Sequence, residues 1–286
     1  MVRGRSRPTP DSPLRRHSGR PGEEPAYHYP DRDDRVVLTD ADGKWPYPQY
    51  WDRSERYALH LVESFLAAGS YASLLDGGGG KGRLLPTFAG YFRAVVGLEP
   101  DAERAAHARR VVEQRNLAHA EILHGDLAAL ESRADRFNVA LCCHVLQHVP
   151  SQDVASILDA IHALLNVDGL LILFAPRSRQ STDRFVANHL AQGRVVSTSV
   201  DEREFNRLIV NDDGILPVRL FSEAQLEGLV RTRFVVLKRW TYRERGPATL
   251  FDRFILRDRV FNLPLLRRHF GENLVLVARK PGPRRR

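Results

Sequence analysis

Five apolar runs of strand length recur between Ala72 and Ala175: ASLLD closing on Asp76, RAVVGLE on Glu99, AEILH on His124, RFNVALCC on Cys143 and GLLILFA on Ala175. Helix-like stretches separate them. Strands apolar on both faces and joined through helices run side by side in the same direction, because a parallel pair needs a crossover connection. The alternation therefore predicts an α/β, doubly wound, mostly parallel sheet. FVVLKRWTY and ENLVLVARK, resuming near the end of the chain, bring it to seven strands.

What flanks this core is less regular. SERYALHLVESFLAAGS reads as an entry helix with Ser54 as N-cap, Tyr57, Leu61 and Phe65 on one face, and Gly69 at its end. Beyond Pro176 the rhythm breaks. A helical segment holding Phe185, Val186 and Leu190 is expected there, then RVVSTSV, then FNRLIVNDDGILPVRLF, with Asp213 and Gly214 as a hairpin turn between apolar runs. We expect one domain over 35–280, with a core at 70–176, an inserted cap at 177–221 and closing strands at 222–280. SEAQLEGLVRTR supplies a helix in the closing part, and 243–270 is too long for a simple hairpin loop. No internal repeat is visible.

The 286 residues are 43% hydrophobic, ordinary for a packed core, and carry a net charge of +8. The charge is concentrated in particular segments. Six arginines lie in the first twenty residues among Pro, Ser and Gly, and the chain closes on RKPGPRRR, so 1–34 and 281–286 are expected to be disordered basic tails. A third basic stretch spans 231–268. It reads either as a solubilising surface or as a footprint for RNA or another polyanion. No apolar run approaches the ~20 residues of a membrane helix, and no apolar segment follows the basic N-terminus as in a secretory signal. The only cysteines, Cys142 and Cys143, are sequence neighbours and outside ordinary disulfide geometry, which fits a reducing cytoplasm.

Between the first strand and the next helix lies DGGGGKG, Asp76 to Gly82. A phosphate loop would need Ser or Thr after Lys81, where Gly82 stands. A dinucleotide fingerprint fits as a pattern, with Gly77, Gly79 and Gly82 spaced G-x-G-x-x-G and Glu99 downstream. Read as D-x-G-x-G-x-G, however, Asp76, Gly78, Gly80 and Gly82 resemble the class I S-adenosylmethionine-dependent methyltransferases, over roughly Ser73 to Pro176. That resemblance implies a Rossmann-like methyltransferase fold and S-adenosyl-L-methionine as cofactor. It implies that the loop meets the amino-acid part of the cofactor, and that Glu99, 17 residues beyond Gly82, accepts from the ribose hydroxyls. It further implies that Asp126 accepts from the adenine amine, that the Leu127 backbone donates to the ring, and that Cys143 lies in the cofactor pocket. LLNVDGLLIL matches the family's turn into strand five, with Asn166, Val167 and Asp168 where Pro-Gly is commoner. Acids after strands one, two and three converge on the crevice where open α/β sheets bind ligands. A cofactor without pyrophosphate also tolerates an acid beside the glycine loop, so the methyltransferase reading stands above the dehydrogenase.

LCCHVLQHVP, at the fourth strand end, is where the resemblance brings substrate to the methyl group. It holds no Asn-Pro-Pro-aromatic tetrad, no Pro-Cys nucleophile and no strand-end acid for magnesium. Cys142, Cys143, His144 and His148 lack zinc-ligand spacing, so no metal is expected. His144, just past the strand end, is the candidate catalytic residue, either as a general base or as a pocket wall. His148 is expected to stabilise its loop. The segment 44–51, with Tyr47, Tyr50, Trp51 and then Arg56, is either a lid over the site or ordinary packing. The expected activity is methyl transfer to a small-molecule acceptor. RNA methylation and a non-catalytic scaffold are the alternatives.

Overall fold

The computed structural model describes residues 71–130, 136–191, 194–210, 215–242 and 271–282, with most positions from 59 to 69. The N-terminal tail, positions 283–286 of the C-terminal tail, Ser54, Tyr57, Leu61, the segment 44–51, the Asp213–Gly214 turn and the stretch 243–270 lie outside the described residues.

The five core strands form where the apolar runs predict them: β1 (Tyr71–Asp76), β2 (Phe92–Glu99), β3 (Ala120–His124), β4 (Phe137–Cys143) and β5 (Leu165–Ser178). They pair in parallel in the order β3-β2-β1-β4-β5. The closing strand β10 (Asn273–Arg279) runs antiparallel to β5, and β9 (Val235–Tyr242) pairs antiparallel with β10. This is the expected seven-stranded path.

Alternating side chains feed two cores. Leu75, Ala140, Cys142, Leu171, Leu173 and Leu276 face one side, where α3 (Val154–Leu164) and α5 (Glu223–Arg231) lay Leu158, Ile161, Leu226 and Val230 against them. Leu74, Val139, Leu141, Ile172, Phe174 and Val275 face the other. They meet α1 (Leu85–Phe88) and α2 (Ala102–Gln114) there. The entry helix packs on this second side through Leu59, Val62 and Leu66, with half-buried Phe65, one of the residues expected on its core face, also against it.

Two local devices set the sheet. Asp101 caps α2 by accepting the Arg104 amide at 2.8 Å. Asp168 takes a left-handed backbone with φ 60, the conformation that glycine would ordinarily supply, and its amide donates to the Lys280 carbonyl at 3.1 Å. Lys280 Nζ in turn donates to the carbonyls of His162 and Leu165, closing the C-terminal end of α3.

The sheet carries three further strands, ten in all among the described residues. They lie in the segment expected as an insert, but with different secondary structure. The stretch with Phe185, Val186 and Leu190 is not helical. It is β6 (Arg184–Ala191), the middle strand of a small three-stranded sheet, paired antiparallel with β7 (Arg194–Val200) and β8 (Leu216–Ser222). FNRLIV, expected as one arm of a hairpin, belongs instead to helix α4 (Glu202–Val210), because Phe205, Leu208 and Ile209 fall at helical spacing and are buried together. The hairpin of this region is β6–β7. Its sheet joins the core where Arg177 and Ser178 of β5 pair in parallel with Phe221 and Ser222. The attachment is therefore at the carboxyl end of β5.

Candidate active site

Because β1 to β5 run in parallel, Asp76, Glu99 and Cys143 end their strands on one edge of the sheet, and Asp126 and His144 follow immediately. Asp76 is almost wholly buried, and its Oδ1 has no hydrogen-bond partner among the described residues. Burial first, and the neighbouring Glu99 charge second, push its carboxyl up to about 7.

The glycine loop is stitched across the strand ends. Gly77 donates to the Leu141 carbonyl and Gly79 to the Leu98 carbonyl, both at 2.9 Å, while the Gly80 amide donates to Glu99 Oε2 at 2.8 Å. Two positions demand glycine. A Cβ on Gly78 would lie 2.2 Å from Val145 Cγ2, and Gly82, at φ +80, would bring one within 3.1 Å of Ala108 in α2. The same close approach explains Ala105 and Ala108 on the facing side of that helix.

Glu99 is also buried, and its other oxygen, Oε1, accepts the Asp101 amide at 3.1 Å with Arg104 Nε 3.8 Å away. Burial holds its carboxyl above the usual range, against the opposing pull of Arg104 and of the two amides. A carboxylate oxygen offers about two acceptor sites, so each Glu99 oxygen retains capacity for a further donor. The Glu99 carbonyl fixes the next loop by accepting the Gly125 amide at 2.9 Å. This sets half-buried Asp126 just past the end of β3, on the same edge of the sheet as the acids of β1 and β2, while the Leu127 side chain turns into the core.

At β4, Cys142 is a core side chain and Cys143 is half-buried. Burial pushes the Cys142 thiol up to about 12 and raises Cys143 as well, so both are neutral thiols. Among the described residues no group of three His, Cys, Asp or Glu is placed to hold a metal. His144 sits at φ 56 with its amide donating to the Phe174 carbonyl. Its Nδ1 is 3.1 Å from Gln147 Oε1 and its Nε2 is 3.2 Å from the Tyr242 hydroxyl. His148 is buried, with Nδ1 3.0 Å from the Pro217 carbonyl and Nε2 3.2 Å from Gln147 Nε2. Burial lowers both histidines to about 4. Gln147 and Tyr242 were not evident from the sequence. Gln147 is hidden between two histidines, and Tyr242 lies 98 residues from His144.

The described part of the basic stretch is largely neutralised within the fold. Arg231 pairs with Glu227 at 2.6 Å, Arg233 pairs with Asp159, and Arg239 pairs with Glu223 and Glu227. Among the described residues no helix is long and apolar enough to cross a membrane.

Comparison with known proteins agrees with this geometry. A family model described as a methyltransferase domain matches residues 50–233. The chain belongs to that family, and its fold is that of the class I S-adenosylmethionine-dependent methyltransferases. The CcbJ methyltransferase from Streptomyces caelestis is similar at a TM-score of 0.55 and 17% identity, covering 90% of this chain and 99% of that one. The Burkholderia thailandensis 1,6-didemethyltoxoflavin-N1-methyltransferase, with bound 1,6-didemethyltoxoflavin and S-adenosylhomocysteine, scores 0.52 at 19% identity, covering 87% and 83%. The N-methyltransferase NodS from Bradyrhizobium japonicum WM9, in complex with S-adenosyl-L-homocysteine, scores 0.51 at 12% identity over 95% and 100%. Among curated proteins, none matches in sequence.

Proposed function

We propose that this protein transfers the methyl group of S-adenosylmethionine to a small-molecule acceptor. The observation that carries the proposal is the buried Asp76 carboxylate, with an oxygen that no described residue satisfies, next to a Glu99 carboxylate with spare acceptor capacity on both oxygens. A buried carboxylate held in that state fits a cationic partner, and the ammonium of an amino-acid moiety is one. Asp76 would hold that end, while Gly78, Gly80 and Gly82 let the backbone approach. Glu99 would accept from two ribose hydroxyls, Asp126 from the adenine amine, and the Leu127 amide would donate to the ring. Cys143 would contribute an apolar wall. When bound, the cofactor supplies an electrophilic methyl carbon on sulfur. The protein then contributes orientation and exclusion of water, which are worth ~7 to 11 kcal/mol in favourable cases.

His144 lies at the strand end where the acceptor would arrive, kept neutral by burial and with Nε2 toward Tyr242. The β6–β7–α4–β8 insert joins the sheet at this same edge and would cap the crevice. A small acceptor is supported by the internal pairing of Arg231, Arg233 and Arg239, which leaves less free charge for phosphate. The toxoflavin-precursor methyltransferase, a protein of the same fold, acts on a small molecule. Two free cysteines support the expected reducing, cytoplasmic setting. The test is incubation with methyl-labelled cofactor and separate metabolite and RNA pools. Label in a small-molecule fraction is the expected result. Label in RNA alone, or in neither pool despite tight cofactor binding, would overturn the acceptor assignment.

A further inference from the structure

The side chains behind His144 form a chain whose direction is fixed at one end. It runs from the Tyr242 hydroxyl on β9 through His144, Gln147 and His148 to the Pro217 carbonyl on β8. A carbonyl oxygen can only accept, so His148 Nδ1 carries a proton and donates to Pro217. A neutral His148 then has its lone pair on Nε2 and accepts from the Gln147 amide nitrogen. This orients the amide, and Gln147 Oε1 faces His144 as an acceptor, so His144 Nδ1 is the protonated nitrogen. His144 Nε2 is therefore a lone pair, and the Tyr242 hydroxyl donates to it. The opposite polarity has Gln147 turned over and needs one extra proton, on His148. Burial of both rings opposes that charge.

We propose that Gln147 and His148 are positioning residues that hold His144 in its Nδ1-protonated form, so that the Tyr242 proton is committed to His144. The far end of the chain is anchored on β8, the strand that joins the insert to the core, so seating of the insert and the tautomer of His144 are set by one connected element. What the relay serves rests on the proposed methyl transfer, but its polarity does not.

The experiment is nitrogen NMR of the full chain labelled with 15N-histidine at neutral pH, with peaks assigned by their loss in His144→Phe and His148→Phe. Protonated and lone-pair ring nitrogens give well-separated signals. The expected result is that His144 and His148 are both neutral with the proton on Nδ1. Gln147→Met should let the Nε2-protonated form of His144 appear, while Gln147→Glu, which still accepts from Nδ1, should retain the parent tautomer. An imidazolium at His148, or an Nε2 proton on either ring in the parent, overturns the proposal. So does a folded Gln147→Met protein with an unchanged His144 signal, and if that variant does not fold the parent spectrum alone decides. Calorimetry with S-adenosylhomocysteine on the same samples separates the two readings. Binding without the predicted tautomers sinks only the relay, and the predicted tautomers without binding sink only the methyltransferase reading.

Discussion

Asp76 and Glu99 close the neighbouring parallel strands β1 and β2 as two buried carboxylates, and the charge of the second helps to hold the first at about 7. A cation binding at Asp76 needs the ionised form. Below about 7 the free protein must first lose a proton there, and above it none is lost. Affinity for S-adenosylhomocysteine should therefore rise by up to about tenfold per pH unit between roughly pH 5.5 and 7, then level off. Calorimetry across that range tests it. Asp76→Asn should weaken binding and flatten the profile, and an equally flat profile in the parent would show that Asp76 is not the cation's partner.

The same shift predicts a stability effect of opposite sense. In the unfolded chain the Asp76 carboxyl ionises near 3.8, whereas the folded value is about 7. The fold therefore loses stability as pH rises between those values, by on the order of 4 kcal/mol above the upper one. Asp76→Asn removes the buried charge. Its urea midpoint should exceed that of the parent at pH 8, with the gap closing toward pH 4. A residue that lowers stability while improving ligand binding is what a functional site predicts.

Glu99 makes a separate, atom-specific prediction. If its two spare acceptor sites meet ribose hydroxyls, Glu99→Ala should lose about 1.5–3 kcal/mol of S-adenosylhomocysteine affinity, some 10- to 150-fold. A 2′-deoxy analogue should bind the parent more weakly, yet lose less than the ribose ligand does on going to Glu99→Ala. Equal losses for the two ligands would mean that the carboxylate acts only by bracing the Gly80 and Asp101 amides.

The insert has its own internal lock. Asp183 accepts the Ser222 amide at 2.6 Å and pairs with Arg219, whose guanidinium carbon lies 4.7 Å from the Phe221 ring centroid and 5.7 Å from that of Phe185. Both charged side chains are largely buried. Asp183→Ala would leave Arg219 an uncompensated charge and should cost about 3–5 kcal/mol in equilibrium unfolding. Asp183→Ala combined with Arg219→Met should recover much of the loss. Failure of the second change to recover any would place the effect in the Ser222 amide contact instead.

How far the sequence could be read follows from which interactions are local. The core strands announce themselves because each is an apolar run bounded by turn residues, and the acids at their ends are placed together once parallel pairing is inferred. The glycine loop is legible because its glycines are clustered in one short segment, although the contacts that require Gly78 and Gly82, with Val145 and Ala108, are tertiary. The secondary structure of the Phe185–Leu190 stretch differs from the expected helix because β6 is a middle strand with a mixed pattern that pairing, rather than propensity, makes extended. In α4, the helical spacing of Phe205, Leu208 and Ile209 was masked by a following Asn-Asp-Asp-Gly that resembles a hairpin turn. Tyr242 and Pro217 could not be found at all. They reach the His144 loop only through tertiary contacts from strands on other parts of the chain, and nothing in WTY or LPV marks them.

The insert also offers the sharpest test of what selects the acceptor. Its β6–β7 hairpin projects beyond β8, the strand that meets the core, and Ala187 stands opposite Thr198 in the ladder. Residues 188–197 can therefore be replaced by Asn-Gly, a two-residue turn whose backbone suits facing strand positions, without disturbing Pro217, Arg219 or Phe221. The shortened protein should keep its unfolding midpoint and its affinity for S-adenosylhomocysteine, because Asp76, Glu99 and Asp126 belong to other elements. If the hairpin covers the crevice and orients the acceptor, methyl transfer to the parent's acceptor should fall at least about 100-fold. A higher KM alone would assign the hairpin to binding, whereas a lower kcat at saturating acceptor would assign it to alignment and exclusion of water. A folded, ligand-binding variant that transfers at the parent's kcat and KM would mean that the hairpin is a surface embellishment, and that the choice of acceptor is made elsewhere.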